Sequence, residues 1–433
     1  MQKRNVVLYG MGSWVDNHYL WLKNNFSIVG TYDRDATKKE KSEEMGFYFF
    51  SVEELKQQEY DAILITSTYE KEITEYLKKE LEIDTEILSG NRLYEEWEEQ
   101  YYNGKMNSFG EQYPDKVFSV VQCGDETGSA GLLGLFCSFI REISNALKDG
   151  QIPVVDMKDF YNIYHENWEE VGKINTYELF FRQPYPEYRM DDVKKALNVT
   201  YANKSWNAKG QEDRIAKKVI HNKELRKEYH MVYKEYMHLS NQVLREYQEI
   251  RETIFTPHKD AGEKILGVSI RGTDYSALKP YLHEIQPTLE QITDKIREAI
   301  REWGVTKIYV NSDEEKSVQY IKDTFPGMVF SMDYQRFDSY QQNPTCLVGT
   351  VHFDREDDAY RRGADYLIST LMLADSDCFI GSLNGGCIAT LIMSEGFEHE
   401  YIFNNLGVYG IDDDAFAFTP DGKPVYVNKE ESV

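Results

Sequence analysis

The sequence contains few cysteines, and none of them forms a metal-binding or redox pair. There are five in 433 residues, an odd number, and no CxxC pair occurs. Structural zinc sites and disulfide-stapled folds need more closely spaced thiols. The pattern therefore predicts reduced thiols in a cytosolic protein and gives no support for a metal site.

The chain is also short of positive charge and of long apolar segments. Lys and Arg total 49 against 74 Asp and Glu, so the formal net charge is −25. Proteins that bind nucleic acid or anionic membranes need a basic face, so both classes are disfavoured. No apolar stretch reaches the about 18 residues that span a membrane, and the N-terminus lacks a signal-peptide pattern. We therefore expect a cytoplasmic protein that binds no nucleic acid.

The chain does have enough apolar residues for several buried cores. Hydrophobic residues make up 41% of it and aromatic residues 14%, which excludes a disordered chain. Short apolar segments alternate with helical ones, a pattern typical of parallel sheets with crossover helices. The pattern and the length predict an α/β fold in three units, over residues 1–100, 113–255 and 260–433.

The first unit opens with a glycine turn after an apolar segment. Gly10 and Gly12 form a GxG pattern, and Asp33 ends the next apolar segment. These features are part of a dinucleotide-binding fingerprint, but Val15 stands where its third glycine belongs. Two interpretations remain, a nucleotide-binding turn or a tight turn without a ligand. The segment resembles the short Rossmann-like modules at the front of bacterial polysaccharide-biosynthesis proteins.

The third unit contains a polar loop directly after an apolar strand, in GVSIRGTDY over 267–275. Arg271 is expected at the carboxyl end of that strand, where parallel sheets bind ligands, and a guanidinium can hold two phosphate oxygens. Gly272 allows close backbone approach, while Thr273 and Asp274 add a hydroxyl and a carboxylate. We therefore predict a phosphate-binding loop with Arg271 as its main cation.

GVSIRGTDY resembles the donor-site motif of the fucosyltransferase clan that contains the α1,6-, α1,2- and protein O-fucosyltransferases. Arg271 matches the arginine that grips the donor diphosphate. Ser269 replaces the clan's histidine, and Gly272 replaces the second arginine of the α1,6 branch.

Further blocks are similar to the clan in order and spacing. They are GSAGLLGLFCSFIREISNALKDGQIPVVDM (128–157), INTYELFFRQP (174–184), IYVNSDEE (308–315) and SDCFIGSLNGG (376–386). The last two imply donor-binding roles for Ser312, Asp313, Ser382, Asn384 and Gly385. Asp313 has an alternative role as the N-cap of the helix that follows it. The acid that the α1,6 branch carries before its last strand is Ser369 here, and Asp365 lies one helical turn earlier.

The resemblance implies a GT-B glycosyltransferase with two lobes behind the N-terminal Rossmann-like domain. Residues 113–255 would form the acceptor-side lobe with a helical connector, and residues 260–433 the donor lobe. It also implies GDP-fucose as the donor, inversion at the anomeric carbon, and no metal or other cofactor. The expected acceptor is a glycan or a lipid-linked oligosaccharide in bacterial surface-polysaccharide biosynthesis.

The chemistry of such a transfer suggests roles for the loop residues. Arg271 and backbone N–H groups would neutralise the departing diphosphate. Asp274 would stabilise positive charge at the anomeric carbon or orient Arg271. His283 and Glu284 are two candidates for the base that takes the acceptor proton, and the sequence does not choose between them.

Aromatic residues in the middle of the chain are candidates for acceptor binding, because sugar rings stack on aromatic faces. We predict this role for Trp168, Tyr177 and Phe180. The carboxylate runs at 354–358 and 412–414 are expected to be solvated surface.

Two other function classes remain open. One is an NAD(P)-dependent oxidoreductase that uses the first unit, against which the missing third glycine counts. The other is a non-catalytic protein that binds nucleotide sugars or acts as a scaffold, which the replacements at Ser269, Ser369 and Asn384 allow. The oligomeric state stays open, and a homo-oligomer is compatible with each class.

Overall fold

The computed structural model describes residues 3–101, 105–122, 130–202, 219–272, 275, 278–279, 283–337, 351–409, 416–418 and 424–426. Within these ranges the chain forms three parallel sheets and one antiparallel pair of strands. The expectation of an α/β fold with parallel sheets is confirmed. The Rossmann-like assignment, the two lobes and the domain boundaries stay predictions.

The first sheet is parallel and has the strand order β2-β1-β3-β4. Its strands are β1 (Arg4–Tyr9), β2 (Phe26–Tyr32), β3 (Ala62–Ile65) and β4 (Glu86–Ser89). Its helices are Ser13–Asn25, Lys38–Glu44, Val52–Gln57, Glu70–Glu75 with a π-helical turn at Tyr76–Glu80, and Gly90–Tyr101. The central strands β1 and β3 are apolar along their buried residues, as expected of a parallel sheet that is covered on both faces.

The second sheet is smaller, with the order β6-β5-β7 and parallel pairing throughout. Its strands are β5 (Phe118–Val121), β6 (Ile152–Val155) and β7 (Val199–Tyr201). The helices of this part are Leu132–Lys148, Tyr177–Phe180, Met190–Val193, Lys223–Tyr236, Asn241–Ile254 and Thr256–Asp260, with a 3₁₀ turn at Trp168–Glu170.

The third sheet has five parallel strands in the order β10-β9-β8-β11-β12. They are β8 (Ile265–Ile270), β9 (Lys307–Ser312), β10 (Val329–Phe330), β11 (Cys378–Ser382) and β12 (His399–Phe403). The helices are Leu289–Glu302, Glu315–Thr324, Asp358–Ala374 and Gly385–Met393. The antiparallel pair β13 (Phe416–Phe418) and β14 (Pro424–Tyr426) follows.

The helix Leu289–Glu302 shows how local sequence sets the start of a helix and the face that it buries. Thr288 caps the helix Leu289–Glu302 in a capping box with Gln291. Ile292, Ile296 and Ala299 recur at helical spacing and are almost fully buried. Amphipathic spacing therefore turns one stripe of this helix towards the third sheet.

The second and third sheets share one continuous hydrophobic core. Phe136 and Ile140 of the helix Leu132–Lys148 belong to it together with Leu367, Ile388 and Ile392 of the third sheet's helices. The first sheet has two further cores, one on each face, and one of them also includes Val171 from the middle of the chain. The middle and C-terminal parts are therefore packed as one body, whereas the first sheet is a more separate unit.

Strand order locates the ligand-binding edge of the third sheet. The chain passes from β8 outward to β9 and β10, and then returns to the other side of β8 with β11. The loops after β8 and β11 consequently leave in opposite directions, and such a reversal point forms a crevice at the carboxyl ends of parallel strands. None of the described helices is both long enough and apolar enough to cross a membrane.

Candidate functional site

The carboxyl edge of the third sheet brings together polar residues from three neighbouring strands. Arg271 follows β8, Ser312 ends β9 with Asp313 after it, and Ser382 ends β11. These residues are far apart in sequence, and the strand order alone places their loops side by side. The predicted donor residues described here therefore lie on one edge.

Arg271 and Asp313 form the central ion pair of this edge. Nη1 of Arg271 donates to Oδ2 of Asp313. The backbone N–H of Gly272 donates to the other carboxylate oxygen of Asp313 at 3.1 Å. The Arg271 side chain is 17% exposed and that of Asp313 only 7%. Asp313 thus joins the segment after β9 to Arg271 and Gly272, the first two residues after β8.

An aromatic ring also lies beside the Arg271 guanidinium. Its central carbon lies 4.8 Å from the centre of the Tyr275 ring. The Tyr275 ring meets the His283 ring edge-on, with centroids 5.1 Å apart. Thr273 and Asp274 lie outside the described residues, so their predicted roles stay predictions.

His283 and Glu284, the two candidate bases, lie beside the segment that follows β12. The backbone carbonyl of His283 accepts a hydrogen bond from the N–H of Tyr409 at 2.9 Å. Glu284 forms an antiparallel bridge with Val408 and is 8% exposed. The Tyr275 ring contacts both the Arg271 guanidinium and the His283 ring, and His283 and Glu284 both stay candidates for the base.

The loop after β11 is held by its own polar side chains. Ser382 Oγ donates to Oε1 of Gln286 at 2.5 Å, and Nε2 of Gln286 donates to the Leu383 carbonyl at 3.1 Å. Oδ1 of Asn384 accepts from the Cys387 N–H at 2.9 Å and caps the helix Gly385–Met393. Ser382 and Asn384, two of the residues predicted to bind the donor, therefore make hydrogen bonds within the protein.

The capped helix points its N-terminus at the edge of the sheet. N–H groups in the first turn of a helix have no intrahelical partner, so they favour an anion there. Gly385 occupies the first position of this helix. A Cβ at Gly385 would lie 3.0 Å from the Gly134 backbone nitrogen. The N-termini of the helices that follow β5 and β11 are therefore in contact.

The carboxyl edge of the second sheet is braced by the INTYELFFRQP segment. Nδ2 of Asn175 donates to the Val155 carbonyl at 2.8 Å, and Nε2 of Gln183 donates to the same oxygen at 2.9 Å. Asp156 directly follows β6. It is fully buried, and its carboxylate accepts a hydrogen bond from Nε2 of Gln122 at 2.8 Å. Burial and the Asp156 charge raise the pKa of nearby Asp159 to about 6. Sequence reasoning missed Asp156, because a single Asp after a strand carries no motif.

Tyr177 and Phe180 do not lie where an acceptor sugar would reach them. Both are fully buried. The Tyr177 ring meets Phe139 with centroids 5.2 Å apart, and Phe180 stacks on Tyr360 at 5.9 Å. A side chain without exposed surface offers no face for stacking, so the structure places both in the core.

The Trp168 ring packs against two other aromatic side chains. It stacks on Tyr161 with centroids 3.9 Å apart and lies 5.1 Å from the Tyr19 ring of the helix Ser13–Asn25. Trp168 therefore packs between the first sheet's helix and the segment before Tyr177. Trp168 is half-buried, and its predicted role in acceptor binding stays a prediction.

The glycine turn of the first sheet is braced from within. Gly10 has a φ of +104°. Oδ2 of Asp33 accepts the Met11 N–H at 2.9 Å, and Oδ1 accepts the Asp35 N–H at 3.0 Å. Lys41 donates to the Gly12 carbonyl at 3.1 Å. Asp33, the acidic residue of the partial dinucleotide-binding pattern, thus makes hydrogen bonds that hold the turn itself.

Arg336 is a buried cation near the site that sequence reasoning missed. Its Nε donates to the Ser312 carbonyl at 3.1 Å, and Nη1 donates to Glu315 at 2.7 Å. Its guanidinium lies 4.3 Å from the centre of the Tyr334 ring. It stands in an irregular segment, where no periodicity or motif signals its burial.

The acidic run at 354–358 is only partly surface. Asp358 is 6% exposed and pairs with Arg355 at 2.7 Å and with Arg362 at 2.6 Å. These arginines hold the pKa of Asp358 below its usual value even though burial opposes them. The expectation of a solvated run is wrong for Asp358, while the run at 412–414 lies outside the described residues.

Asp365 is engaged in the same network. It accepts a hydrogen bond from Arg355 at 3.0 Å and lies 3.6 Å from Arg361. Burial raises the pKa of its carboxyl group despite these cations. Ser369, one turn later, is fully buried.

Comparisons with known proteins give a family match over part of the chain and matches of low similarity to solved structures. The family model described as C2185-like, N-terminal, matches residues 2–88, a minor part of the chain that does not show the family of the whole. The crystal structure of the fucosyltransferase NodZ from Bradyrhizobium is similar at 13% identity and a TM-score of 0.37, over 72% of this chain and 99% of that chain. No curated protein is similar in sequence.

Structures of POFUT1 are similar over more of the chain but less closely. The ligand-free form has 10% identity and a TM-score of 0.28, over 95% of this chain and 99% of that chain. The complex with GDP-fucose has 9% identity and a TM-score of 0.26, over 94% and 98%. Because these TM-scores are low, the matches carry no functional conclusion for this chain.

Proposed function

We propose that the chain is an inverting, metal-independent glycosyltransferase that moves fucose or a related sugar from a GDP-sugar to a glycan hydroxyl. The observation that carries the proposal is the placement of Arg271. It lies at the carboxyl end of β8, at the reversal point of the third sheet, beside the loop that leads into the helix Gly385–Met393. A cation and a helix N-terminus on one sheet edge suit a diphosphate.

Transfer of a sugar from a nucleoside diphosphate requires a site that stabilises negative charge on the leaving group. In the transfer, the bond between the anomeric carbon and the diphosphate oxygen breaks, and the acceptor oxygen forms a new bond to that carbon. The acceptor proton passes to a base, for which His283 and Glu284 remain candidates, and the nucleoside diphosphate leaves with the bonding electrons. Arg271 and the N–H groups at Gly385 and Gly386 would stabilise the charge on that leaving group.

The choice of donor rests on the sequence motif GVSIRGTDY (267–275) and its resemblance to the fucosyltransferase clan. The GT-B arrangement belongs to the same proposal, with residues 113–255 as the acceptor side and 260–433 as the donor side. The contact of Gly385 with Gly134 supports it, because the two helices that meet there follow strands at the carboxyl edges of the second and third sheets. We expect the acceptor to be a glycan or a lipid-linked oligosaccharide that enters between these edges.

Calorimetric titration of the full chain with GDP, UDP, CDP and ADP tests the donor assignment. We expect GDP to bind most tightly, and we expect GDP to be released from GDP-fucose when a chelator is present. Binding of UDP without binding of GDP would refute the fucosyl donor. Binding of GDP without any release from GDP-fucose, with or without an acceptor, would favour a non-catalytic binding protein.

Substitution of Arg271 tests the site itself. We expect Arg271→Ala to abolish turnover and to weaken GDP binding by about 10- to 100-fold, because it removes a charged hydrogen bond to phosphate. Arg297→Ala is the matched control, since Arg297 pairs with Asp294 in the same unit and has a 51% exposed side chain. Unchanged turnover in Arg271→Ala would remove this residue from the mechanism.

A further inference from the structure

We propose that Asp313 is a positioning residue, which aims the guanidinium of Arg271 at the donor diphosphate and does not itself bind the nucleotide. The inference rests on the proposed function, because it concerns the same diphosphate. It differs from the roles that the sequence suggests for Asp313, which are contact with the donor or capping of a helix.

The hydrogen bonds of Asp313 support this role. One carboxylate oxygen receives Nη1 of Arg271, and the other receives the Gly272 N–H at 3.1 Å. The N-cap of the helix Glu315–Thr324 is Glu314, not Asp313. Both oxygens of Asp313 therefore face the loop after β8, and its carboxylate holds the arginine and the backbone that carries it.

The backbone at Asp313 is held by hydrogen bonds from the segment that follows β10. Its backbone carbonyl accepts the N–H of Phe337 at 2.9 Å. The preceding carbonyl, that of Ser312, accepts from Nε of Arg336 at 3.1 Å and from the Tyr334 hydroxyl at 2.8 Å. The segment after β10 thus fixes the segment after β9, which in turn fixes Arg271.

Positioning has a physical benefit at this site. A free arginine side chain samples many rotamers, and ordering it costs conformational entropy when a ligand binds. Asp313 on one side and the Tyr275 ring, 4.8 Å away, on another restrict the guanidinium before any ligand arrives. Preorganised charge stabilises a leaving group without reorganisation at the moment of reaction.

Charge argues against direct contact between Asp313 and the diphosphate. A carboxylate that is only 7% exposed repels a neighbouring phosphate unless a cation lies between them. Arg271 is that cation, and a guanidinium has five N–H donors, so one group can bind both anions. Asp313 therefore acts through Arg271.

A double-mutant cycle on GDP binding tests this role, using wild type, Asp313→Asn, Arg271→Ala and the double variant. We expect each single variant to weaken binding and the double variant to bind no more weakly than Arg271→Ala alone, which corresponds to a coupling of about tenfold or more. We also expect Asp313→Asn to lower kcat for GDP release from GDP-fucose more than it raises KM. Asp313→Glu should restore part of kcat, since it keeps the charge.

Asp375→Asn is the matched control, because Asp375 pairs with Arg251 at 2.6 Å in another part of the molecule. It should leave GDP binding unchanged, and thermal unfolding of every variant identifies any that does not fold. Additive effects in the cycle, or tighter GDP binding by Asp313→Asn, would overturn the positioning role while leaving the proposed function intact. A wild-type chain that binds no GDP would refute both.

Discussion

At the scale of single residues, short polar side chains after the strands hold neighbouring backbone. Asp313 accepts the Gly272 N–H, Asn384 accepts the Cys387 N–H, and Asp33 accepts the Met11 N–H. Each of these bonds fixes a loop at the carboxyl edge of a parallel sheet. These hydrogen bonds therefore shape the loops without any contribution from a ligand.

The two glycines of the first turn are expected to differ in their response to substitution. Gly10→Ala should lower the free energy of unfolding by about 1–2 kcal/mol, because a φ of +104° is unfavourable for a residue with a Cβ. Its Cβ would also lie 3.2 Å from the Thr66 carbonyl oxygen. Gly12→Ala is the control, since Gly12 has a φ of −81° and open space around its Cβ position. Urea unfolding measures both, and an equal loss in the two variants would contradict this account.

Asp159 should make the stability of the chain depend on pH. Its pKa rises from 3.8 to about 6, chiefly through burial and then through repulsion by Asp156. A carboxyl group whose pKa is raised in the folded state favours folding below its unfolded pKa, and this stabilisation is lost as the pH rises through the folded value. The affected window therefore runs from about pH 4 to pH 6.

We expect Asp159→Asn to raise the free energy of unfolding at pH 7.5, by at most about 3 kcal/mol. The variant should also flatten the fall in stability between about pH 4 and pH 6. Urea unfolding across this range measures the effect, with the exposed Asp191→Asn as the control. A variant whose pH profile matches that of wild type would argue against a raised pKa.

At the scale of elements, helix N-termini are the points where parts of the chain meet. The helix Asp358–Ala374 begins after Asp357, which has a φ of +54° and makes no side-chain cap. Glu166, from the second part of the chain, supplies an acceptor instead, and receives the Ala359 N–H at 3.0 Å. A carboxylate at this position also compensates the positive end of the helix dipole.

The contact between the helices Gly385–Met393 and Leu132–Lys148 leaves no room for a side chain. Gly385→Ala should lower the free energy of unfolding by about 1–3 kcal/mol, since its Cβ would press on the Gly134 backbone and backbone yields little. Gly131→Ala is the matched control, because Gly131 is the N-cap of Leu132–Lys148 and nothing lies within 4 Å of its Cβ position. Urea unfolding compares the two, and a neutral Gly385→Ala would mean that the helices can move apart.

At the scale of the whole molecule, the distribution of the cores predicts how the chain melts. The helices Leu132–Lys148 and Gly385–Met393 contribute to the same core, so they should unfold together. The first sheet has separate cores and touches the rest through residues such as Trp168 and Val171. Differential scanning calorimetry should therefore resolve one transition for the first sheet and another for the remainder.

Conservative core variants assign these transitions. Phe136→Leu and Ile388→Val should lower the same melting temperature, each by roughly 2–4 °C for a loss near 1 kcal/mol. Leu8→Ala, in a core of the first sheet, should lower the other. If Phe136→Leu and Ile388→Val acted on different transitions, the second and third sheets would not share a cooperative core.

Much of the architecture was accessible from the sequence because apolar runs ending in glycine or polar residues mark buried parallel strands. The segment GVSIRGTDY predicted both the strand β8 and the position of Arg271 at its carboxyl end. Ser382 and Asn384 were placed at the correct edge, but their side chains make hydrogen bonds within the loop. Tyr177 and Phe180 were predicted to bind the acceptor because their segment is rich in aromatic residues, and that richness does not distinguish an aromatic core from an aromatic binding face.

By itself, the sequence determined the alternation of strands and helices, the glycine turns and the residue types that can hold a phosphate, because these depend on local periodicity and side-chain chemistry. The tertiary structure alone decided which residues meet. The ion pair of Arg271 with Asp313, the contact of Gly385 with Gly134 and the burial of Arg336 join segments distant in the chain. Strand order and helix packing bring such segments together, and neither leaves a signal within a short stretch of sequence.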